Sequence, residues 1–380
     1  MVNSLWNFAS RIIFFVLELL VRKDSNSIIV TTHRGRIFGD NSKSFFIYAQ
    51  AIPDLNVYLL TKNKSLFDTL SKKYPDKILY AWSTKGLLKY LRSKIVMATH
   101  GPGDVHPYYP STTRKTFINL WHGTPMKKTN YLLRESSKLN KSGMDFCKYT
   151  CTSSEFTQYL MTAQFQQYVD NIWITGQPRN DTLFNIDQAL LDEHPFLNKK
   201  TILYAPTFRL GEPTNLFPFD DFEPQKLLDL LEEQDAYLMM RCHMSELSQF
   251  DDDVLLSSDR IIVADQKMFP SVDSILGHTD ILITDYSSIY FDFLLLNRPI
   301  VFLPYDIEKY TGNRGLNFDF DTNAPGVKPN TSSSFISSLK TYFEVPSTDE
   351  AERIRIRNKF NKFVDADSSA RIVEKIRGLL

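Results

Sequence analysis

Cysteine is scarce in this chain. Cys147, Cys151 and Cys242 are the three in 380 residues, and the C-x3-C spacing of the first two lacks a second pair to complete a zinc set. They are expected to be buried or free thiols of a reducing compartment. Charge of one sign is also missing: Lys+Arg and Asp+Glu are both 44. No global positive field points to nucleic acid, so phosphate chemistry must rest on local basic groups. There is no G-x-x-x-x-G-K-S/T, no G-x-G-x-x-G, no C-x-x-C pair and no H-E-x-x-H, which argues against an ATPase, a dinucleotide oxidoreductase and the common zinc hydrolases. Asp251-Asp252-Asp253 reads as a solvated acidic run, and no metal site or cofactor is expected. Repeats and low-complexity tracts are absent.

A long uninterrupted apolar run is lacking too. Leu5 to Val21 comes nearest, but Arg11 and Glu18 interrupt it, and a spanning helix needs about 20 apolar residues. No small-residue cleavage site follows. On a helix, Asn7, Arg11, Glu18 and Arg22 fall on one face and the rest is Leu, Trp, Phe, Ile and Val. That pattern predicts an amphipathic helix in the membrane interface, with burial against the protein's own core as the alternative.

What is present is a globular composition, 43% apolar and 23% charged, long enough for two domains. Candidate strands in the first half are Ile28–Thr32, Val57–Leu60, Ile78–Ala81, Ile95–Ala98, Thr116–Trp121, Tyr149–Thr152 and Ile172–Thr175. Helices are expected at Ser42–Ile52, Lys64–Lys73, Thr84–Arg92 and Ser154–Gln164. After a break around Asp187–Lys200 the same grammar restarts, with strands at Thr201–Tyr204, Tyr237–Arg241, Ile261–Val263, Ile281–Thr284 and Ile300–Leu303. Helices follow at Pro224–Glu233, Ser271–Leu276 and Ser287–Leu296, then a charged helical tail from Thr348. Strand–helix alternation implies parallel sheets covered on both faces. The expected organisation is a membrane-interface helix over 1–23 and two doubly wound domains, 24–190 and 191–380. The final helix is a candidate to pack back on the first domain.

The chemistry-bearing motifs sit at expected strand ends, where such sheets bind ligands. Asp280 through Phe293 reads as strand, hydroxyl-rich turn and apolar helix. Ser287 and Ser288 open the helix, where free N–H groups and the dipole favour phosphate, and where serine is equally a plain N-cap. Asp285 could cap that helix or meet a ligand hydroxyl, and a buried Asp292 would need a partner. His122, ahead of Gly123-Thr124-Pro125-Met126-Lys127, can accept a proton from an attacking alcohol. Arg241 and His243 follow an apolar run, and Thr207 and Arg209 follow another; arginine forks match phosphate oxygens. His33, Arg34, Arg36, Asp40 and Asn41 form a polar loop after the first strand that could help receive an acceptor.

Taken in order, Trp121-His122-Gly123-Thr124-Pro125-Met126-Lys127, Thr152 to Phe156, Gly176-Gln177-Pro178-Arg179-Asn180-Asp181, Leu203 to Arg209, Arg241-Cys242-His243 and Asp280 through Phe293 resemble the CDP-glycerol glycerophosphotransferase family of teichoic-acid and capsule synthesis. Arg298-Pro299-Ile300 and Arg314-Gly315 extend the match. The resemblance implies a GT-B-like α/β fold, two Rossmann-like domains facing a central cleft. It implies transfer of glycerol phosphate from a CDP-glycerol donor to an undecaprenyl-diphosphate-linked glycan acceptor, at the cytoplasmic face of the membrane. His122 and His243 map to the catalytic histidines. Thr207, Arg209, Arg241, Asp285, Ser287, Ser288 and Arg314 are the donor-side candidates; Gly123, Thr124, Lys127, Asp40 and Asn41 are the acceptor-side candidates. Met244 and Asn317 depart from the family pattern, which more often has proline and an aromatic residue there. The rivals are a CDP-ribitol transferase, a nucleotide-sugar glycosyltransferase or epimerase of the same fold, and a non-catalytic lipid-carrier-binding protein. A homo-oligomer is left open.

Overall fold

The computed structural model describes residues 12–31, 33–105, 114–133, 147–207, 209, 214–242, 253–312 and 315–380. The chain divides into two compact units. The first comprises Met1–His122, Thr129–Asp181 and Asp365–Leu380, and the second Gly123–Lys128 and Thr182–Val364. The division therefore falls at Asp181 rather than at residue 190. The short piece after His122 belongs to the second unit and the C-terminus to the first.

In the first unit seven strands form one sheet: β1 (Asp24–Val30), β2 (Asn56–Thr61), β3 (Ile78–Tyr80), β4 (Ser93–Ala98), β5 (Thr116–Asn119), β6 (Tyr149–Thr152) and β7 (Ile172–Ile174). Their order is β3-β2-β1-β4-β5-β6-β7, all parallel. The second unit holds β8 (Lys200–Tyr204), β9 (Ala236–Met240), β10 (Ile261–Val263), β11 (Ile281–Thr284) and β12 (Ile300–Phe302). They are also parallel, in the order β10-β9-β8-β11-β12. All twelve expected strands are present. Their centres read as continuous apolar runs because both faces are covered: Ile28, Ile29 and Val30 are fully buried, as are Ile202, Leu203 and Ile283.

Helices supply crossovers in both units, and several of them start on side-chain caps. In the first unit these are α1 (Asp40–Ala49), α2 (Lys64–Lys73), α3 (Thr84–Arg92) and α4 (Glu155–Phe165). Asn63 caps α2 at the Leu66 amide, Ser83 caps α3 at Gly86, and Ser154 with Thr157 forms a capping box on α4. The second unit carries α5 (Pro224–Glu233), α6 (Ile289–Phe293), α7 (Ser332–Glu344) and α8 (Glu350–Phe360). The last helix, α9 (Ser368–Arg377), lays Ile372, Val373 and Ile376 into the first unit's core beside Ile28, Val30 and Ile95. Both sheets reverse strand order beside their first strand, between β1 and β4 and between β8 and β11. Loops at such switch points frame a crevice beyond the strands' carboxyl ends.

The N-terminal span is helical over residues 12–20, while Asn7 and Arg11 lie outside the described residues. Glu18 departs from the expected solvent-side stripe: it is the one fully buried residue of the span. Its Oε1 accepts from Lys115 Nζ at 2.6 Å and Lys23 Nζ at 2.7 Å. Burial pushes the carboxyl up, but the two ammonium groups outweigh it and hold it below its usual range. Arg114 donates to the carbonyls of Glu18, Leu19 and Val21, satisfying the helix C-terminus. Around this polar anchor the apolar side chains point outward, with Ile13 58% and Leu20 77% exposed. Among the described residues no helix is long and apolar enough to cross a membrane.

Candidate active site

In the first unit the site is built on the loops after β1, β4 and β5. His122 follows β5 across Trp121, which takes a left-handed backbone (φ 54°), costly for a bulky side chain. Two asparagines hold that turn. Asn119 Oδ1 accepts from the Trp121 N–H at 2.9 Å, and Asn41 Nδ2 donates to the carbonyls of Leu120 and Trp121, both at 3.0 Å. Asn41 is fully buried, and its Oδ1 accepts from the Arg179 N–H. Arg179 pairs with Asp40 at 3.0 Å and donates to the His122 carbonyl at 2.8 Å. Asp40 and Asn41, acceptor-side candidates, thus brace the histidine loop.

The His122 ring is held on three sides. Nδ1 lies 3.0 Å from the Thr99 carbonyl. A carbonyl can only accept, so Nδ1 carries the hydrogen and Nε2 keeps the lone pair. His100 stacks on one face, 4.2 Å between centroids and 7° from parallel, and Trp121 is 4.0 Å away. Burial lowers the His122 pKa, and Arg179 and His33 lower it further, against the opposing Thr99 hydrogen bond and Asp40 charge. His100 is driven to about 4 by burial and by its histidine neighbours, so the stacked ring stays neutral. An uncharged imidazole with one free nitrogen is what a general base needs.

Gly176 to Asp181 is a structural hub of this unit. Gly176 (φ 79°) admits α9, since a Cβ there would lie 2.5 Å from Ser368 Oγ. Asp181 accepts from the amides of Ser368 and Ser369, both at 2.9 Å, closing the start of α9.

The second unit gathers Thr207, Arg209 and Asp285 at the ends of β8 and β11. Asp285 Oδ1 accepts from the Thr207 N–H (2.8 Å), its hydroxyl (2.6 Å) and the Tyr286 N–H (2.6 Å). Asp285 Oδ2 accepts from Arg209 Nη2 at 2.8 Å. Arg209 also makes a two-pronged pair with Asp306, both bonds 2.8 Å. Burial works against its charge, and Asp306 and Asp285 more than restore it, raising the pKa. These three residues, the donor-side candidates, bond to one another and to Asp306 and Tyr286, which fixes the geometry of the loops that carry them. Tyr286, Tyr305 and Tyr310 surround the guanidinium within 5.4 Å.

Ser287 and Ser288 are half-buried and follow directly. Ser288 makes no capping bond to α6, and Ser287 Oγ accepts from Ile289 N at a long 3.4 Å. Their hydroxyls are less committed than those of Thr207 and Asp285. α6 has five residues, so an anion here would rely on first-turn N–H groups and hydroxyls more than on a long macrodipole. Asp292 is buried and partnered. Arg241 lies on the loop after β9, where Nη1 donates to the carbonyls of Ala264, Asp265 and Phe269. His243, Met244 and Arg314 lie outside the described residues.

Gly123, Thr124 and Lys127 belong to the second unit, where Pro125–Lys128 bond to residues 315–317. Lys127 bridges to Leu316, the Lys128 N–H donates to Gly315 at 3.2 Å, and Lys127 Nζ sits 3.7 Å above the Tyr310 ring. Asn317 Nδ2 donates to the carbonyls of Pro125 (2.8 Å) and Lys127 (3.1 Å). Thr124 is buried, with Oγ1 unpartnered. Cys147, Cys151 and Cys242 form no disulfide; the first two are buried and Cys242 is half-buried. Among the described residues no His/Cys/Asp/Glu group could hold a metal ion. Sequence reasoning missed His100, Asp104, Arg179 and Asp306. His100 stands at a strand end as His122 does, a signal that was available; Arg179 and Asp306 act through partners remote in sequence, and Asp104 joins the nearby amides of Thr99 and His100 to the distant Arg34.

The family model for CDP-Glycerol:Poly(glycerophosphate) glycerophosphotransferase matches residues 13–378. The chain belongs to this family. It is 26% identical over 396 residues to the teichoic acid glycerol-phosphate transferase of Staphylococcus aureus (strain NCTC 8325 / PS 47), covering 98% of this chain and 99% of that protein. It is 28% identical over 405 residues to the teichoic acid poly(glycerol phosphate) polymerase of Bacillus spizizenii (strain ATCC 23059 / NRRL B-14472 / W23), covering 97% and 95%. Among solved structures it resembles the wall teichoic acid polymerase TagF, with a TM-score of 0.75 at 22% identity over 100% of this chain and 98% of that one. That likeness speaks to the fold, which is GT-B-like. As a member of the family, the chain is a transferase that moves glycerol phosphate from CDP-glycerol in teichoic acid synthesis.

Proposed function

We propose that the acceptor is a lipid-linked glycan presented at the cytoplasmic face of the membrane, and that His122 is the base that activates its hydroxyl. The observation that carries the reading is the bond from His122 Nδ1 to the Thr99 carbonyl, which leaves Nε2 unprotonated in a ring whose burial disfavours the imidazolium. The acceptor oxygen attacks the phosphorus that bears glycerol. Its proton passes to Nε2, the bond from that phosphorus to the bridging oxygen breaks, and CMP leaves with the bond's electrons. Ser287, Ser288 and Arg314 hold the donor phosphates, and His243, with Arg241 nearby in sequence, assists departure of CMP. Thr207, Arg209 and Asp285 keep the donor loops in place. Positioning and charge stabilisation supply most of the rate in such transfers. The outward apolar side chains of residues 12–20 support seating on a membrane surface.

The test is CMP release by His122→Ala and His122→Gln against wild type. A lost general base lowers kcat by about 100- to 10,000-fold. Wild-type turnover in a variant with an unchanged melting temperature would remove the base assignment.

A further inference from the structure

The loop between β1 and α1 carries more positive charge than its surroundings balance. His33 (φ 45°), Arg34 (φ 57°) and Gly35 (φ 72°) are left-handed in succession. For the two non-glycines this costs on the order of 1–3 kcal/mol each, and such strain persists only where the surroundings over-determine it. Asp104 and Lys62 provide that constraint. Asp104 Oδ1 accepts from the Arg34 N–H at 2.7 Å, while Oδ2 accepts from the amides of Thr99 and His100 at 3.0 and 2.8 Å. The Gly35 carbonyl accepts from the Lys62 N–H and the Thr61 hydroxyl, and a Cβ on Gly35 would lie 2.9 Å from the Asp104 carbonyl.

The result is a rigid loop displaying cations. The guanidinium groups of Arg34 and Arg36 are exposed, and neither has a carboxylate partner among the described residues. Among the described residues Lys62 Nζ donates to a neutral acceptor, the Gly103 carbonyl at 2.6 Å. Burial lowers its pKa, Asp104 opposes this, and Arg36 and Arg34 lower it further. Three cations face one carboxylate, Asp104, whose oxygens already accept from backbone amides, and a further anion would relieve the excess positive charge. The same loop reaches the base: His33 lies 4.4 Å from His100, and His100 lies 4.2 Å from His122.

We propose that Arg34, Arg36 and Lys62 form an anion subsite that binds a phosphate or phosphodiester group of the acceptor beside His122. The inference rests on the reading of His122 as the residue that meets the acceptor. A phosphate seated there anchors the acceptor within its own unit and leaves its hydroxyl to be aligned separately. A glycan without phosphate would lose this anchor.

The test uses the full-length enzyme with Arg34→Asn, Arg36→Gln and Lys62→Gln, singly and combined; asparagine tolerates the left-handed backbone at position 34. Two acceptors are compared in detergent, one bearing a phosphodiester or diphosphate and one the same glycan without it. The combined variant is expected to raise KM for the phosphate-bearing acceptor about tenfold or more, the range of lost charge-assisted bonds. KM for CDP-glycerol, and KM for the uncharged acceptor, should hold. Inorganic pyrophosphate should compete with acceptor in wild type and not in the variant. Arg36→Gln alone changes an exposed, unpartnered side chain, so a smaller rise there reads the effect even if the combined variant misfolds. An unchanged acceptor KM overturns the proposal. So does a rise confined to CDP-glycerol, which would move the cations to the donor. A defect seen only with vesicles of anionic lipid overturns it too, by assigning the cations to headgroups. His122→Ala reads on kcat with either acceptor, so failure of the base and failure of the subsite give different results.

Discussion

Nδ1 of His122 donates to the Thr99 carbonyl, and that bond sets which nitrogen keeps a lone pair. The charges facing the ring are those of Asp40, Arg179 and His33, with neutral His100 stacked on it. Burial dominates, so protonation requires a lower pH than for a free imidazole. The acid limb of kcat against pH should therefore fall below 6.5, the ordinary histidine value. Activity is retained as pH drops toward that limb and lost beneath it. CMP release across a pH series measures it, and a limb at or above 6.5 would contradict the buried, neutral base. At this scale the sequence was partly legible. His122, Thr207, Asp285 and Ser287 could be located because they follow apolar runs that end in tight turns. Their partners could not: Asp306, 97 residues away, takes two of the donors of Arg209, and no local pattern links the two. Residue type reveals what a side chain can bond, and only the fold reveals which bonds are already made.

Elements were legible where pattern and burial agree. Parallel strands covered on both faces are mostly apolar, and most of the twelve could be found by that rule; β6, Tyr149–Thr152, is buried with a Thr-Cys-Thr sequence. Pieces with no periodicity were harder. The segment Gly123–Lys128 has no regular structure, yet it is zipped along residues 315–317 through main-chain bonds and the amide of Asn317. An aromatic residue at 317 cannot make the two carbonyl contacts. Asn317→Ala should cost about 1–3 kcal/mol through two lost hydrogen bonds and speed hydrogen exchange at the Lys128 amide, which bonds to Gly315. Exchange protection equal to wild type would show that the main-chain bonds suffice. The span 12–20 misled for a different reason. A polar stripe does not say which side water is on, and Glu18 turned inward to Lys115 and Lys23.

At the scale of the molecule, two doubly wound units could be read from the restart of strand–helix alternation near residue 200. Their membership was legible only in part: the final helix was a candidate to pack back on the first domain, while the transfer of Gly123–Lys128 to the second was not foreseen. Asp365–Leu380 belongs to the first unit, where Ile372, Val373 and Ile376 are core. Three such side chains contribute about 5–9 kcal/mol at roughly 1.5–3 each, comparable to the whole stability of a domain, about 5–15. Deleting residues 366–380 should therefore unfold the first unit while the second keeps its own calorimetric transition. Two intact transitions in the truncated protein would refute that accounting. The chain's return to the first unit has a consequence during synthesis. Ribosomes deliver the first unit's strands early and its closing helix last, after all of the second unit. The unit made first is thus finished last, with the sheet face meant for α9 uncovered while some two hundred further residues are translated. Translation speed and chaperone supply then bear on this enzyme's yield more than they would on a protein whose domains close in the order they are made.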